Sequence, residues 1–463
     1  MEAAGHRLER QVSGVDGLKV AVIGAGSRSF GPSIVRDMLL SDALHEGPLD
    51  IRLMDVVERH AVETRDYARA VAARLGRKSG IEATTRLEEA VDGASIVVSA
   101  IEVNRFLYWS QDFHIPRKHG FRQVFGENGG PGGIFHALRN MGPTVEIARA
   151  MERLCPEALL LNFTNPEHKL CEAVTRLTSI RCVGLCHGYF MGLRQIADML
   201  GVPEENLEAL ACGINHFTWF QSIRDKSTGE DLYPLLRQRD AEGDLLHDWH
   251  EIGLGRILFR RFGLWPSPAA NHYGEYIRWA EEFVASELQF FYDPAEGHPW
   301  HTGHIPDFVY SLSHPVTERP LVREKTTARP PDPNGDLRPS GELAVPIMEA
   351  MTCDDRRLME AVNVPNRGAI PNLPDETVVE VPAMVDREGI HPCRMEPLPE
   401  AIACLLRVQA SIQQLVVEAY AEQSRQKLLQ AVLLDPVVDS YRRAVEMVDE
   451  MLSLQAELLP RFR

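Results

Sequence analysis

The stretch VAVIGAGSRSF (Val20–Phe30) joins an unbroken apolar run to a turn that carries two bare glycines. An apolar run without polar alternation, ending in glycine, is the pattern of a parallel strand buried on both faces that runs into a tight turn. Gly24 and Gly26 then stand between strand and helix, where backbone without side chains can approach a pyrophosphate held at the helix N-terminus. Ser27 and Phe30 complete the cofactor-facing turn. Gly31 comes later than the third glycine of the usual fingerprint, so a merely tight strand-to-helix turn is the competing interpretation of the same residues.

Outward from this turn the design repeats. PLDIRLMDV, ASIVVSAIE, ALLLNFTNP and IRCVGLCHG are further apolar runs, separated by helical patterns such as Ile34, Met38 and Leu39. Strand and helix in alternation imply an α/β fold, a Rossmann-like doubly wound parallel sheet, expected over residues 15–200. Asp55 closes the second run, where a carboxylate accepts hydrogen bonds from both ribose hydroxyls and repels a 2'-phosphate. That favours NAD over NADP; capping the following helix is a second role open to the same residue.

Past residue 200 the pattern loosens, and a second, mainly helical α+β domain is expected over 201–463. PLLRQRDAEGDLLHDWHEIG reads as charged amphipathic helix, and ARPPDPNGDLRPSGE (Ala328–Glu342) as a mobile surface loop rich in turn formers. Leu405, Val408, Ile412, Leu415 and Ala419 advance by threes and fours, which predicts one packed helical face. VVDSYRRAVEMVDEMLSLQAELL predicts a second long helix near the end.

Composition narrows the function classes. The formal charge of −17 on 463 residues, with no basic run, removes the main attraction for a nucleic-acid backbone. No segment has the uninterrupted apolar length of a membrane span and the first residues contain no apolar stretch, so a cytoplasmic protein is expected. Eight cysteines in such a chain are expected as thiols, with Cys155, Cys171, Cys182, Cys212 and Cys404 serving as small buried hydrophobes.

Several stretches carry groups suited to chemistry. GENGGPGGIFHALRN (Gly126–Asn140) offers backbone N–H groups that could hold an anion or sugar hydroxyls, or could be a plain flexible loop. NFTNPE (Asn162–Glu167) places Asn165 at the carboxyl edge of a strand, where ligands of open sheets bind. GLCHGYF brings Cys186 and His187 to the next strand end, and CGINHFTWF supplies His216. A thiolate with an imidazole makes a borderline-soft divalent metal site with positions left for a substrate diol, although spacing alone does not tie Cys186 to His216.

GAGSRSF, GPGGIFHALR, NFTNP, GLCHG, GINHF and NVPNRGAIPNLPDETVVEVP (Asn363–Pro382), in this order and followed by VLLDPVVDS, resemble glycoside hydrolase family 4 from about Lys19 to Pro460. That resemblance implies a first domain similar to the lactate and malate dehydrogenases. It also implies a glycosidase that needs NAD and a divalent metal, usually manganese, and that cleaves by C3 oxidation, C2 deprotonation, elimination, water addition and re-reduction. By the same resemblance Cys186 and His216 are the metal ligands and Asn165 contacts the sugar. His187 stands where phospho-sugar members carry a carboxylate, which implies an unphosphorylated α-glycoside, a hexoside or a uronide, and makes His187 either the general acid or a sugar contact. NHYGEY (Asn271–Tyr276) aligns Tyr273 with the family's tyrosine base, with His272 in reserve, and Ala270 falls where other members have Asp. Arg105, Arg117 and Arg122 could hold a uronate carboxylate. Family members pair through large interfaces, so a homodimer or homotetramer is expected. The alternatives are an NAD-dependent sugar or hydroxy-acid dehydrogenase and a catalytically silent NAD- and sugar-binding sensor.

Overall fold

The computed structural model describes residues 17–27, 30–242, 252–282 and 330–463. Six parallel strands form its centre: β1 (Leu18–Ile23), β2 (Leu49–Met54), β3 (Gly80–Thr84), β4 (Ile96–Ser99), β5 (Leu159–Asn162) and β6 (Arg181–Gly184). Their order, β3-β2-β1-β4-β5-β6, reverses direction between β1 and β4, and the open edge at such a switch point receives a dinucleotide in doubly wound folds. β4 and β5 are buried along their whole length, which is why they read as continuous apolar runs.

The first turn is built around its glycines. Gly24 and Ala25 donate their N–H groups to the Met54 carbonyl, both at 2.9 Å. Gly24 has φ +80°, and a Cβ there would lie 2.4 Å from the Ala100 carbonyl oxygen. A Cβ on Gly31 would lie 2.1 Å from the Ala25 oxygen, so this late glycine serves close packing of helix Gly31–Leu40 on the turn. Asp55 accepts the N–H of Gly26 and of Val57, each at 2.9 Å.

After helix Gly188–Leu200 the strand direction changes while the sheet continues. β10 (Arg357–Pro365) lies antiparallel to β6 and meets it at one register position, Asn363 opposite Gly184. Beyond β10 come β11 (Val378–Asp386), β7 (Leu207–Ile214), β8 (Phe217–Asp225) and β9 (Trp265–Ser267), and β12 (Gly389–Pro392) pairs with β11. The second half therefore extends the same sheet by antiparallel strands, with its helices packed around them. Those strands carry few long apolar runs; β7 alternates buried and exposed residues at its start, so its signal is weaker than that of the parallel strands.

Helix Glu400–Glu422 buries Ile402, Ala403, Leu406, Ala410, Val416 and Val417 together with two amides, Gln409 and Gln413. The packed face is rotated from the expected stripe: Ile412 and Ala419 are buried, Leu405 and Leu415 only partly, and Val408 is 37% exposed. Gln413 bonds Glu172, which draws a polar edge of the helix inward that hydrophobicity does not mark. Cys404 consequently lies exposed, a correction to its expected burial, whereas Cys155, Cys171, Cys182 and Cys212 are buried. By length and composition this is the one helix among the described residues apolar enough to cross a membrane, which the sequence expectation passed over; half of that apolar window is buried in the protein.

Helix Tyr233–Glu242 forms as expected, and the rest of its amphipathic stretch, 243–251, lies outside the described residues. Residues 330–342 have no regular structure but are tied down, with Ser340 N–H bonded to Asp37 at 2.9 Å and Arg74 to the Pro333 and Gly335 carbonyls; 328 and 329 lie outside the described residues.

Candidate active site

The carboxyl ends of β4, β5 and β6 deliver Glu102, Asn165 and Cys186 to one edge of the sheet. The hairpin between β7 and β8 delivers His216 to the same place. Asn215 and His216 form its two-residue turn, and His216 has φ +65°, a backbone conformation that non-glycine residues seldom adopt and that concentrates at functional sites.

A chain of buried amides joins the separate motifs. Asn128 donates to the Asn215 side-chain oxygen at 3.1 Å and faces Asn165 Oδ1 at 3.5 Å. Asn215 and Asn363 both donate to Glu380 at 2.9 Å. Asn140 donates to the Asn165 carbonyl at 2.9 Å and to Glu102 at 3.1 Å. The Cys186 sulfur accepts the Gly188 N–H at 3.4 Å just past the end of β6, and His216 stands next to Asn215 in the hairpin turn.

The glycine stretch 126–140 is not a free anion cradle. Helix Gly130–Leu154 begins inside it, and a Cβ on Gly132 would stand 2.3 Å from the Asp112 oxygen, so glycine serves close approach there. The N–H groups of Glu127, Asn128 and Gly129 are taken by the protein's own Glu275 carboxylate, at 2.5, 2.9 and 3.1 Å. Burial and the neighbouring Glu127 push the Glu275 pKa up to about 8, against these three donors.

Glu127, His216 and His272 each offer one ligand atom, and those atoms lie within 4.8 Å of one another. Burial, with His272 beside it, holds His216 well below the usual histidine range, and burial lowers His272 as well, so both imidazoles are neutral and able to ligate. Burial raises Glu127, but neighbouring positive charge, Arg105 first, outweighs it and keeps its pKa at about 2. Burial first, then Glu380 and Glu167, raises the Cys186 thiol well above its ordinary value. His216 Nδ1, Asn128 Oδ1, His168 Nδ1 and Glu167 Oε2 are buried without hydrogen-bond partners among the described residues. Two neutral imidazoles and a carboxylate within reach of one another, a group that does not include Cys186, together with unsatisfied buried polar atoms suit a divalent metal and a hydroxylated ligand.

His187 lies at the N-terminus of helix Gly188–Leu200, with Nε2 2.7 Å from Glu342; that hydrogen bond raises its pKa. Its ring stacks 6.3 Å from Phe30, which itself packs 4.8 Å from Phe163, so the cofactor turn and His187 adjoin.

Tyr273 and the three arginines have the following surroundings. Tyr273 is fully buried, and its hydroxyl is turned against helix Gly253–Phe262, so close to Gly255 that a Cβ there would lie 2.6 Å from it. The Tyr276 hydroxyl donates to the Asn215 carbonyl at 3.2 Å and its ring stacks on Phe217. His168, held by Lys169 at 2.9 Å, faces Tyr276 with 6.4 Å between ring centres. The arginines are also committed: Arg105 pairs with Glu102 and Glu127, and Arg117 and Arg122 both pair with Glu281. Glu127 and Tyr276 stood inside stretches already singled out in the sequence; Glu342, at the end of an expected loop, carried no local signal.

The family 4 glycosyl hydrolase model matches residues 19–202, and the model of that family's C-terminal domain matches 211–438. The chain is 31% identical to an α-glucosidase of Erwinia rhapontici, covering 94% of this chain and 98% of that protein. It is 30% identical to an α-galactosidase of Bacillus subtilis, over 96% of this chain and 100% of that protein. The fold matches that of a 6-phospho-α-glucosidase from gut microorganisms solved with NAD and Mn2+, with TM-score 0.76 at 22% identity over 97% of this chain and 100% of the other. It also matches a Cryptosporidium parvum malate dehydrogenase, with TM-score 0.52 at 15% identity over 88% and 99% of the two chains. With motifs that converge on one sheet edge and relatives of this identity over nearly its whole length, the chain belongs to glycosyl hydrolase family 4.

Proposed function

We propose that this protein hydrolyses an unphosphorylated, neutral α-hexoside, using NAD and a divalent metal such as manganese, in a reducing compartment where its eight cysteines remain thiols. The observation that carries the proposal is the convergence of Cys186, His216, Glu127 and Asn165 beside the glycine turn of a dinucleotide-binding sheet. The relatives that act on α-glucosides and α-galactosides support the substrate class. A neutral sugar is favoured over a uronide because Arg105, Arg117 and Arg122 are each already paired with carboxylates, which leaves them poor partners for another.

When bound, NAD supplies reversible hydride transfer and the metal supplies Lewis acidity at neighbouring sugar hydroxyls. Gly24 and Gly26 keep the turn bare for the pyrophosphate, Ser27 and Phe30 flank it, and Asp55 selects the ribose. Cys186 and His216 would hold the metal, with Glu127 and His272 within reach. Asn165 and Asn128 orient sugar hydroxyls. Tyr276 takes over from Tyr273 as the group that removes the C2 proton, with the His168–Lys169 pair at its side. His187, fixed by Glu342, donates a proton to the leaving oxygen.

A screen of chromogenic glycosides with NAD, manganese and a thiol reductant tests this. Turnover of an α-glucoside or α-galactoside, dependent on both additions, is expected; turnover of uronides alone would overturn the substrate assignment.

A further inference from the structure

β6 and β10 touch at one register position, Asn363 opposite Gly184, and part below it. A cavity of about 810 Å3 opens there, between the start of β6 and the end of β10, at the edge of the sheet opposite Cys186. Its lining includes Arg181, Arg367 and Arg394 and the hydroxyl of Thr178, with Ile180 and Ile390 among the apolar walls, and no Asp or Glu among the described residues. In a chain of net charge −17, a cavity with three guanidinium groups and no acid is selective for anions. Arg181 meets only the Glu157 carbonyl, and Arg367 and Arg394 make no side-chain hydrogen bond or ion pair among the described residues.

Arg367 stands on a braced loop. The Asn366 amide donates to the carbonyls of Ile370, Leu373 and Pro374 at 3.0, 3.0 and 3.1 Å and accepts the Ile370 N–H at 2.7 Å. That bracing holds Arg367 at φ +43°, ahead of Gly368 at +83°. Strain of this kind on a non-glycine residue persists only where the surroundings impose it.

We propose that this cavity binds a phosphorylated small molecule: a phosphate monoester dianion on a body of sugar size. Three guanidiniums exceed what one carboxylate would neutralise, their planar forks match phosphate oxygens, and the volume accommodates an organic body against the apolar walls. The site is separate from the glycosidase centre.

Calorimetric titration of the full chain, saturated with NAD to occupy the glycine turn, with ribose 5-phosphate at physiological ionic strength tests the proposal. One equivalent should bind, ribose alone should not, and Arg367→Ala with Arg394→Ala should weaken binding at least tenfold while NAD affinity is unchanged. Arg394→Glu, on an exposed side chain, serves as a second variant should the double change impair folding, and it should abolish binding. Absence of binding, or binding that survives in the variants, would overturn the site. So would a fall in molar mass of the variants by light scattering without any ribose 5-phosphate binding to the native protein, because the arginines would then face a second copy of the chain.

Discussion

The Tyr276 hydroxyl donates to the Asn215 carbonyl at 3.2 Å, one residue before His216, whereas the Tyr273 hydroxyl faces Gly255. Burial, Glu275 and Glu127 raise the Tyr276 phenol well above its ordinary value, so the proposed proton removal would need positive charge nearby, which a divalent metal would supply. Tyr276→Phe should lower kcat at least 100-fold with NAD affinity intact, as expected when a general base is lost. Tyr273→Phe should leave kcat within about threefold and cost at most ~1–2 kcal/mol of stability, the range for a buried hydroxyl. Steady-state kinetics on the two variants decides between them, and the opposite ranking would restore Tyr273. The two tyrosines share one short motif, and no periodicity distinguishes which of them a short helical segment aims at its neighbours; that depends on the Asn215 turn, which is remote in sequence.

At the scale of elements, the tail motif VLLDPVVDS ends helix Arg425–Leu434 and places Asp435, buried, beside the start of helix Gly130–Leu154, near Lys169. Burial pushes the Asp435 pKa up to about 7. Its folded value therefore lies above the unfolded one: the folded state retains a proton that the unfolded chain releases from about pH 4, so this carboxyl costs stability that grows up to pH 7 and then levels off. Asp435→Asn removes that cost. Its stability advantage over the native protein, measured by denaturant unfolding, should be near zero at pH 4 and widen to on the order of 2 kcal/mol by pH 7; a constant or shrinking gap would contradict the burial argument. Five of the six parallel strands were legible as apolar runs because both of their faces are largely covered; β3, at the sheet edge and partly exposed, was not. The antiparallel strands were not, since β7 alternates buried and exposed residues and β9 has three residues. Helix Glu400–Glu422 was legible as a helix but not in its facing, because Gln409 and Gln413 are buried by bonding and not by hydrophobicity.

Across the whole molecule, a single sheet carries the glycine turn, the ends that bear Cys186 and His216, and the strands joined by the amide chain from Asn128 to Glu380, so no rearrangement between separate bodies is needed to bring them together. Pairing of whole chains is a further expectation: light scattering at micromolar concentration should give twice or four times the chain mass, and a monomer would contradict it. The central claim concerns the reaction. Only elimination followed by addition breaks the C2–H bond during net hydrolysis, and only a hydride returned to the sugar leaves NAD unchanged. Hydrolysis of the α-hexoside in heavy water, with NAD and manganese, should yield a hexose carrying deuterium at C2 with no accumulation of reduced NAD. A product with protium at C2 would mean direct displacement at C1, and stoichiometric reduced NAD would mean a dehydrogenase; either result would contradict the account.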